Sequence, residues 1–177
     1  MRERLIAAAL ELFQRDGYEL TTAAQIATAA GVTERTFFRY FPDKREVLFG
    51  ATEMVRESVV AGVLDAPAGL GPLDTLFHAY DDFRTVIEAR REYAEPRQEL
   101  ISKVPALQER ELAKIAELSD AVAVALETRG VARLSAVLAA QVGMAAIAQA
   151  QGEWLRDDSV SLAERFRLAR EELGRLL

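Results

Sequence analysis

Apolar residues recur at spacings of three and four along almost the whole chain, and no segment shows the two-residue alternation expected of a half-buried strand. The first periodic stretch runs from about Arg2 to Asp16, and Gly17 ends it. Its apolar face contains Leu5, Ala9, Leu12 and Phe13. The pattern predicts an all-α protein of about nine helices.

Two short helices follow the first. Thr22 opens the second helix, with Gln25 three residues later as the partner in a capping box. Gly31 provides a turn, and a third helix is predicted from Thr33 to Phe41, where the following proline prevents continuation.

A long fourth helix is predicted to start at the Asp43–Glu46 capping box and to continue to about Leu64. The proline- and glycine-rich run at 66–72 then breaks the pattern. Five more helices are predicted from about Pro72 to Glu88, Arg90 to Ser102, Pro105 to just before Gly130, Val131 to Arg156, and from the Ser161–Glu164 box onward.

These boundaries predict an N-terminal domain of residues 1–48, joined by the long helix to a C-terminal helical domain of residues 49–177. The two short helices that meet at Gly31 have the pattern of a helix-turn-helix, whose second helix enters the major groove of DNA.

The exposed arc of the third helix carries the residue types that read DNA. Phe37 and Phe41 lie four apart and are predicted to face inward. The other positions are Thr33, Glu34, Arg35, Thr36, Phe38 and Arg39. Arginine and threonine in such an arc contact base edges or phosphates. The alternative is an ordinary solvated helix face.

Composition restricts the chemistry. The chain has no cysteine and a single histidine, His78, so disulfides, thiolate chemistry and multi-histidine metal sites are excluded. With almost nothing from which to build a catalytic cluster, we expect no enzyme activity, no metal and no cofactor. The amphipathic N-terminus contains no signal-peptide core, and a cytoplasmic protein is expected.

The net charge of −6 is unevenly distributed. Residues 1–50 contain seven basic and seven acidic residues, so the whole excess of acid belongs to residues 51–177. A neutral N-terminal domain in front of an acidic one is compatible with DNA binding, because attraction to phosphate is screened within about 10 Å at ~0.1 M salt. This charge distribution argues against strong binding to nucleic acid without sequence preference.

The stretch from Leu134 to Gly152 carries no charge and is long enough to raise the question of a membrane span. Alanine is its commonest residue, and Gln141, Gln149 and Gln151 interrupt the apolar positions. Alanine gains little from lipid, so the prediction is a helix buried against a partner, with no membrane association.

Residues 5–50 resemble the DNA-binding domain of the tetracycline-repressor (TetR) family. The resemblance is carried by Gly17-Tyr18, by the run from Thr21 to Ala27, by Ala30-Gly31-Val32-Thr33 and by the run from Thr36 to Lys44. It implies operator DNA as the partner, with Thr22 and Lys44 on phosphate and with Thr33, Arg35 and Thr36 on bases or phosphates. Together with Phe38 and Arg39, these are the predicted DNA-binding residues.

Two positions depart from the family pattern. Phe38 stands where family members commonly have a tyrosine that binds phosphate through its hydroxyl, so only van der Waals contacts with DNA are expected there. Family members often begin with a basic arm, of which this sequence has Arg2 and Arg4. Either this protein has a lower affinity for non-specific DNA than those family members, or the given chain begins after the start of the arm.

The resemblance further implies that residues 72–177 bind a ligand and dimerise. The uncharged helix is the predicted interface, and the last helix adds Leu162, Phe166, Ala169 and Leu176 to make a four-helix bundle with the partner. On the uncharged helix the predicted interface residues are Leu138, Ala139, Ala140, Val142, Gly143, Ala146, Ile147 and Ala150. Alternatively, these residues only close the core of one chain.

Candidate ligand contacts are amphipathic aromatic and isolated polar residues of the C-terminal domain, since ligand cavities combine apolar walls with a few polar groups. They are His78, Phe83, Tyr93, Met144 and Trp154, each of which can also be ordinary core. The run from Ile101 to Leu107 resembles a TetR branch that includes acyl-coenzyme A sensors, which makes an acyl ligand a candidate.

The predicted function is a homodimeric transcriptional repressor that a small apolar ligand releases from a palindromic operator. One alternative is an all-α enzyme or metal carrier with an incidental helix-turn-helix, and another is a structural interaction module. Binding to neighbouring intergenic DNA in a gel shift would separate the first from the other two.

Overall fold

The computed structural model describes residues 1–176, which form nine α-helices, one short 3₁₀ helix and no strand. The helices are α1 (Arg2–Asp16), α2 (Ala23–Ala29), α3 (Glu34–Tyr40), α4 (Thr52–Asp65), α5 (Pro72–Glu88), α6 (Arg91–Lys103), α7 (Pro105–Thr128), α8 (Arg133–Arg156) and α9 (Leu162–Leu176). The prediction of an all-α fold with nine helices is confirmed.

The chain divides into two compact units. Unit 1 consists of Met1–Glu53 and Pro96–Glu111, and unit 2 consists of Met54–Glu95 and Leu112–Leu177. The boundaries between the units therefore fall inside α4, α6 and α7.

The core of unit 1 is built from α1, α2, α3 and the 3₁₀ helix Glu46–Phe49. Phe37 and Phe41 are both buried, with ring centroids 5.7 Å apart, as the four-residue spacing predicts. Other buried side chains are Leu5, Ala9, Phe13, Ile26, Val47 and Leu48. Each large apolar side chain removed from water stabilises the fold by about 1.5–3 kcal/mol.

The segment before α4 corrects one prediction. The helix expected to run continuously from Asp43 begins at Thr52, because residues 43–51 form turns and the 3₁₀ helix. Asp43 does cap this segment, since its Oδ1 accepts from the backbone N–H groups of Arg45 (2.7 Å) and Glu46 (3.1 Å). The carbonyl of Leu48 accepts from Arg97 Nε at 2.8 Å, a contact outside the helical ladder.

The core of unit 2 joins α4, α5, α7, α8 and α9. Val63, Leu76, Val122, Ala140 and Phe166 from these five helices belong to one cluster of buried side chains. Helices α4 and α5 approach each other closely at Gly62. A Cβ placed on Gly62 would lie 2.9 Å from Ala79 Cβ and 3.1 Å from Ala79 Cα, so only glycine allows this approach.

Helix α8 corrects a second prediction. Most of the small residues predicted to form a dimer interface are buried in the core of the single chain, and so is Ile147. For these residues the alternative prediction, that they close the core of one chain, is correct. The buried small residues are Ala139, Ala140, Gly143 and Ala150. The opposite face of α8 carries exposed apolar side chains at Leu134 (72%), Leu138 (51%) and Val142 (38%).

Helix α8 is also long and apolar enough to cross a membrane by length and composition alone. Core helices of soluble proteins meet the same criterion, and eight residues along α8 are buried within this fold.

Candidate nucleic-acid interface

The start of α2 is fixed by Thr22. Its Oγ1 accepts from the backbone N–H of Gln25 at 3.2 Å, and its own N–H donates to Gln25 Oε1 at 2.8 Å. The predicted capping box is therefore confirmed. Thr22 is exposed, so its hydroxyl lies at the surface beside the positive end of the helix dipole.

The turn between α2 and α3 depends on Gly31, whose φ of 67° lies in the left-handed region. The N–H of Gly31 bonds to the carbonyl of Thr28 at 2.9 Å, and the N–H of Val32 bonds to that of Ala27 at 2.9 Å. This pair of bonds is a Schellman motif, which ends α2 and directs the chain into α3.

Helix α3 carries the exposed residues that are predicted to contact DNA. Thr33 caps it by accepting from the N–H of Thr36 at 3.2 Å, and Phe37 anchors it in the core. Thr33, Arg35, Phe38 and Arg39 are exposed, with Phe38 at 49%, while Thr36 is half-buried. The phenyl ring of Phe38 packs edge-on against Phe37 at 5.4 Å and leaves the rest of its surface open.

Lys44 lies between α3 and the 3₁₀ helix, and its side chain binds the loop between α1 and α2. Its Nζ donates to the carbonyls of Tyr18 (2.8 Å), Thr21 (3.2 Å) and Glu19 (3.3 Å). The ammonium also lies 4.3 Å from the centroid of the Tyr18 ring, a cation–π contact. Burial raises the pKa of Tyr18 to about 12, so this ring is a neutral phenol at physiological pH.

The two arginines of the expected N-terminal arm contact unit 1 itself. Arg2 Nε donates to the carbonyl of Gly50 at 3.2 Å, and its guanidinium lies 4.8 Å from the Phe41 ring. Arg4 Nη2 donates to the carbonyl of Ala30, the last residue of the α2 turn, at 2.6 Å.

Other cations of residues 1–50 pair with acids. Arg15 binds Asp16 at 2.6 Å and Arg45 binds Asp43 at 3.0 Å. Within the described residues, Arg35 has no hydrogen bond or ion pair, and Arg39 has only a contact with the Tyr40 ring at 5.3 Å. Among the cations of residues 1–50, Arg35 and Arg39 on α3 are therefore exposed and have no carboxylate partner in the described part of the chain.

Two arginines from the α6–α7 segment bind the 3₁₀ helix of unit 1. Besides its bond to the Leu48 carbonyl, Arg97 lies 5.0 Å from the Phe49 ring and pairs with Glu111 at 3.1 Å. Arg110 pairs with Glu46. Sequence periodicity could not indicate these contacts to the 3₁₀ helix, because they join residues 49 and 64 positions apart.

The five predicted ligand residues lie in different places within unit 2. Met144 and Trp154 are buried in the core cluster, where the hydroxyl of Tyr80 donates to Met144 Sδ at 3.4 Å. Phe83 is buried on α5, and Tyr93 is half-buried on α6.

His78 instead lines a surface groove of about 330 Å³ between α5 and α9. Its Nε2 lies 3.5 Å from Asp82. The groove has Phe77 and Phe166 as apolar walls. Its charged residues, which the sequence analysis did not select, are Asp74, Asp81, Arg167 and Arg170. Of the five predicted residues, His78 is the one that lines this groove.

Two family models match the sequence. The model of bacterial regulatory proteins of the tetR family matches residues 5–51, and the MftR C-terminal domain matches residues 70–177. The chain belongs to the TetR family. This is a family of DNA-binding transcriptional regulators and not of enzymes.

Curated relatives agree with this assignment. The TcmR regulator of Streptomyces glaucescens is 44% identical over 79 residues, which is 45% of this chain and 35% of TcmR. The mycofactocin regulator MftR proposed for Mycobacterium tuberculosis is 29% identical over 171 residues, which is 94% of this chain and 85% of that protein. The HbdR regulator of Aromatoleum is 34% identical, with 51% of this chain and 40% of HbdR covered. The chain thus spans well under half of TcmR and HbdR.

Solved structures share the fold over nearly the full length. The repressor FadR of Thermus thermophilus, crystallised with lauroyl-CoA, has a TM-score of 0.60 and 27% identity, with 97% of this chain and 92% of FadR covered. The SmeT–triclosan complex has a TM-score of 0.61 at 20% identity, with 97% of this chain and 88% of SmeT covered, which supports the fold alone.

Proposed function

We propose that this TetR-family protein is a homodimeric repressor that binds a palindromic operator and is released by a small apolar ligand. Residues 1–48 would read the DNA, and residues 49–177 would dimerise and bind the ligand in the cytoplasm. The observation that carries the proposal is the α2–turn–α3 segment, in which buried Phe37 anchors a helix whose two arginines are exposed.

The proposed DNA contacts follow from where the side chains lie. Arg35 and Arg39 supply the charge for bases or phosphates, and Phe38 supplies an apolar contact to a sugar or a thymine methyl group. Thr22, Thr33 and Thr36 supply hydroxyls at the starts of α2 and α3, where exposed N–H groups also favour phosphate.

Dimerisation is supported by the outward face of α8. Leu134, Leu138 and Val142 are spaced four apart, so they form one apolar stripe along the helix. On α9, Leu168 (43%) and Leu176 are also exposed. Such side chains gain free energy when a second copy covers them.

An acyl chain is the ligand class that we favour. FadR of Thermus thermophilus, at 27% identity over nearly the whole chain, was crystallised with lauroyl-CoA. Coupling to DNA would run through α6 and α7, because each of these helices has one end in each compact unit. Arg97 and Arg110 would transmit a shift of these helices to the 3₁₀ helix that precedes α4.

A fluorescence anisotropy titration tests the proposal directly. The full chain is titrated onto labelled duplexes that cover the intergenic DNA beside its own gene, with scrambled duplexes as the control. We expect a bound complex of two protomers on one palindromic site, and lauroyl-CoA should reverse the binding. Equal affinity for every duplex would contradict the proposal.

A further inference from the structure

We propose that Tyr80 and Ser119 are the polar contacts for a ligand in the core of unit 2, and that they select a neutral apolar molecule with an oxygen acceptor. The inference rests on the proposed binding of a small apolar ligand by residues 49–177, and it names the chemistry of that ligand. The carbonyl of a ketone, an ester or an acyl thioester belongs to this class. The carboxylate of a free fatty acid does not.

Tyr80 lies in the core of unit 2 with a hydroxyl group that has only a weak acceptor. The residue is 3% exposed, and its hydroxyl donates to Met144 Sδ at 3.4 Å. A thioether is a poorer acceptor than a carbonyl oxygen. Burial raises the pKa of Tyr80 well above its ordinary value, so the group stays a neutral phenol that donates a hydrogen bond. A ligand oxygen would therefore bind this hydroxyl better than Met144 does.

Met144 is suited to give way to such a ligand. Its unbranched side chain has three rotatable bonds, so the thioether can leave the Tyr80 hydroxyl without a shift of the α8 backbone. Phe166 packs edge-on against the Tyr80 ring, with centroids 6.2 Å apart, and holds that ring in place. A ligand that displaces the thioether thus meets a fixed phenol between apolar side chains.

Ser119 supplies a second hydroxyl, and this one has no partner. It lies on α7 three residues before Val122, which belongs to the same buried cluster as Tyr80. Ser119 is 7% exposed, and its Oγ forms no hydrogen bond within the described part of the chain. The other unpaired buried atoms found there are Nε of Arg91 and Arg165, whose guanidinium groups bond through their other nitrogens. Since buried polar groups usually have a partner, Ser119 would gain from a ligand oxygen.

The core of unit 2 is unfavourable for a charged ligand group. Among the described residues, the buried polar side chains of unit 2 are Thr75 and Ser119, and neither is charged. Arg91 approaches the core at Trp154, 5.3 Å from the ring, but its guanidinium pairs with Asp158 at 2.7 Å. A carboxylate in this core would lose its hydration without gaining a buried cation from the described residues. A neutral oxygen acceptor is therefore favoured.

Binding of decan-2-one and of decanoate to the full chain, without DNA, tests the ligand class. The two molecules have equally long chains, but the ketone is neutral and the acid is ionised at neutral pH. Isothermal titration calorimetry measures both affinities. We expect decan-2-one to bind at least about tenfold more tightly than decanoate. Equal or tighter binding of decanoate would overturn the proposal, and so would a lack of decan-2-one binding up to its solubility limit.

Hydroxyl deletions test the two residues. Tyr80→Phe keeps the ring and should weaken decan-2-one binding at least about fivefold, because the buried carbonyl loses its donor. Ser119→Ala should weaken it in the same direction. Thr75→Val is the matched control, since this buried hydroxyl already donates to the Gly71 carbonyl at 2.9 Å. It should lower the unfolding temperature and leave decan-2-one affinity unchanged. Wild-type affinity in either hydroxyl deletion would overturn the role of that residue.

The infrared carbonyl stretch of bound decan-2-one separates direct contact from a merely structural role. A hydrogen bond from Tyr80 lowers this frequency, so the stretch should lie higher in Tyr80→Phe than in the wild-type protein. The same frequency in both would refute the contact. None of these measurements uses DNA. If decan-2-one binds as expected but does not release the operator, the ligand contacts stand and the proposed release of the repressor fails.

Discussion

Substitutions of the exposed residues of α3 should affect DNA binding more than stability. Arg35 is exposed and has no hydrogen-bond or ion-pair partner among the described residues, so its removal should leave the fold intact. If it forms a bidentate contact with guanine, Arg35→Ala should weaken operator binding by about 1–3 kcal/mol and relax preference at one base position. Anisotropy with single-base operator variants measures this. Arg45→Ala is the control, and an equal loss on operator and random DNA would show that Arg35 reads no base.

Thr22 caps α2 and is also one of the proposed DNA contacts. Thr22→Ala removes the acceptor for the Gln25 N–H, so the free energy of unfolding should fall by about 1 kcal/mol. Thr22→Ser keeps the hydroxyl and should retain most of this stability. Urea unfolding followed by circular dichroism measures both variants. A stable Thr22→Ala protein with unchanged operator affinity would remove Thr22 from the interface.

Helices and turns were largely readable from the sequence, and the reasons are local. The capping box at Thr22, the left-handed Gly31 and the stop at Pro42 act within a few residues, so they specify the helix-turn-helix directly. The helix predicted from Asp43 begins only at Thr52, and the Leu48 carbonyl in the segment before it bonds to Arg97, about fifty residues later. The local spacing of apolar residues gives no information about such a distant hydrogen-bond partner.

The same limit applies to the sites. The apolar spacing of α8 indicated a packed helix but not which face turns inward, so buried Ala140 and Gly143 were assigned to a partner instead of to the core. Lys44 was assigned from resemblance alone, and its three carbonyl partners could be seen only once the loop was in place.

The close approach of α4 and α5 at Gly62 can be tested by replacing glycines with alanine. Alanine is favoured over glycine in a helix by about 1 kcal/mol, so Gly→Ala normally stabilises. A Cβ placed on Gly174 of α9 would have no atom within 4 Å, and Gly174→Ala should raise the free energy of unfolding by about 0.5–1 kcal/mol. Gly62→Ala should lower it instead, because the added methyl meets the backbone of Ala79 at 3.1 Å. Thermal unfolding compares the two, and stabilisation by Gly62→Ala would show that α4 and α5 separate easily.

At the scale of the whole molecule, the exposed stripe on α8 predicts the oligomeric state. Leu138→Glu places a charge in the centre of the stripe and should weaken dimerisation at least about tenfold, since a buried leucine contributes about 1.5–3 kcal/mol. Leu112→Glu on α7, at an even more exposed leucine, is the matched control. Light scattering after size exclusion reports the mass. A dimer that survives Leu138→Glu unchanged would place the interface elsewhere.

Regulation must be reciprocal if ligand and operator bind the same molecule. A ligand that weakens operator binding by some factor is itself weakened by operator by the same factor, typically 1–3 kcal/mol of coupling free energy. Trp154, the single tryptophan, is buried in unit 2 beneath the guanidinium of Arg91 at 5.3 Å, so its fluorescence should respond to a ligand in that core.

Lauroyl-CoA is titrated while the Trp154 fluorescence is measured, once without operator and once with saturating operator. The ratio of the two lauroyl-CoA affinities should equal the factor by which lauroyl-CoA weakens operator binding. Arg97→Ala should bring this ratio toward one and leave lauroyl-CoA affinity without DNA unchanged, because it removes the bond to Leu48 while leaving the unit 2 core intact. Identical lauroyl-CoA affinity in the presence and absence of operator would exclude it as the releasing ligand. A ratio unaffected by Arg97→Ala would exclude this arginine from the coupling route.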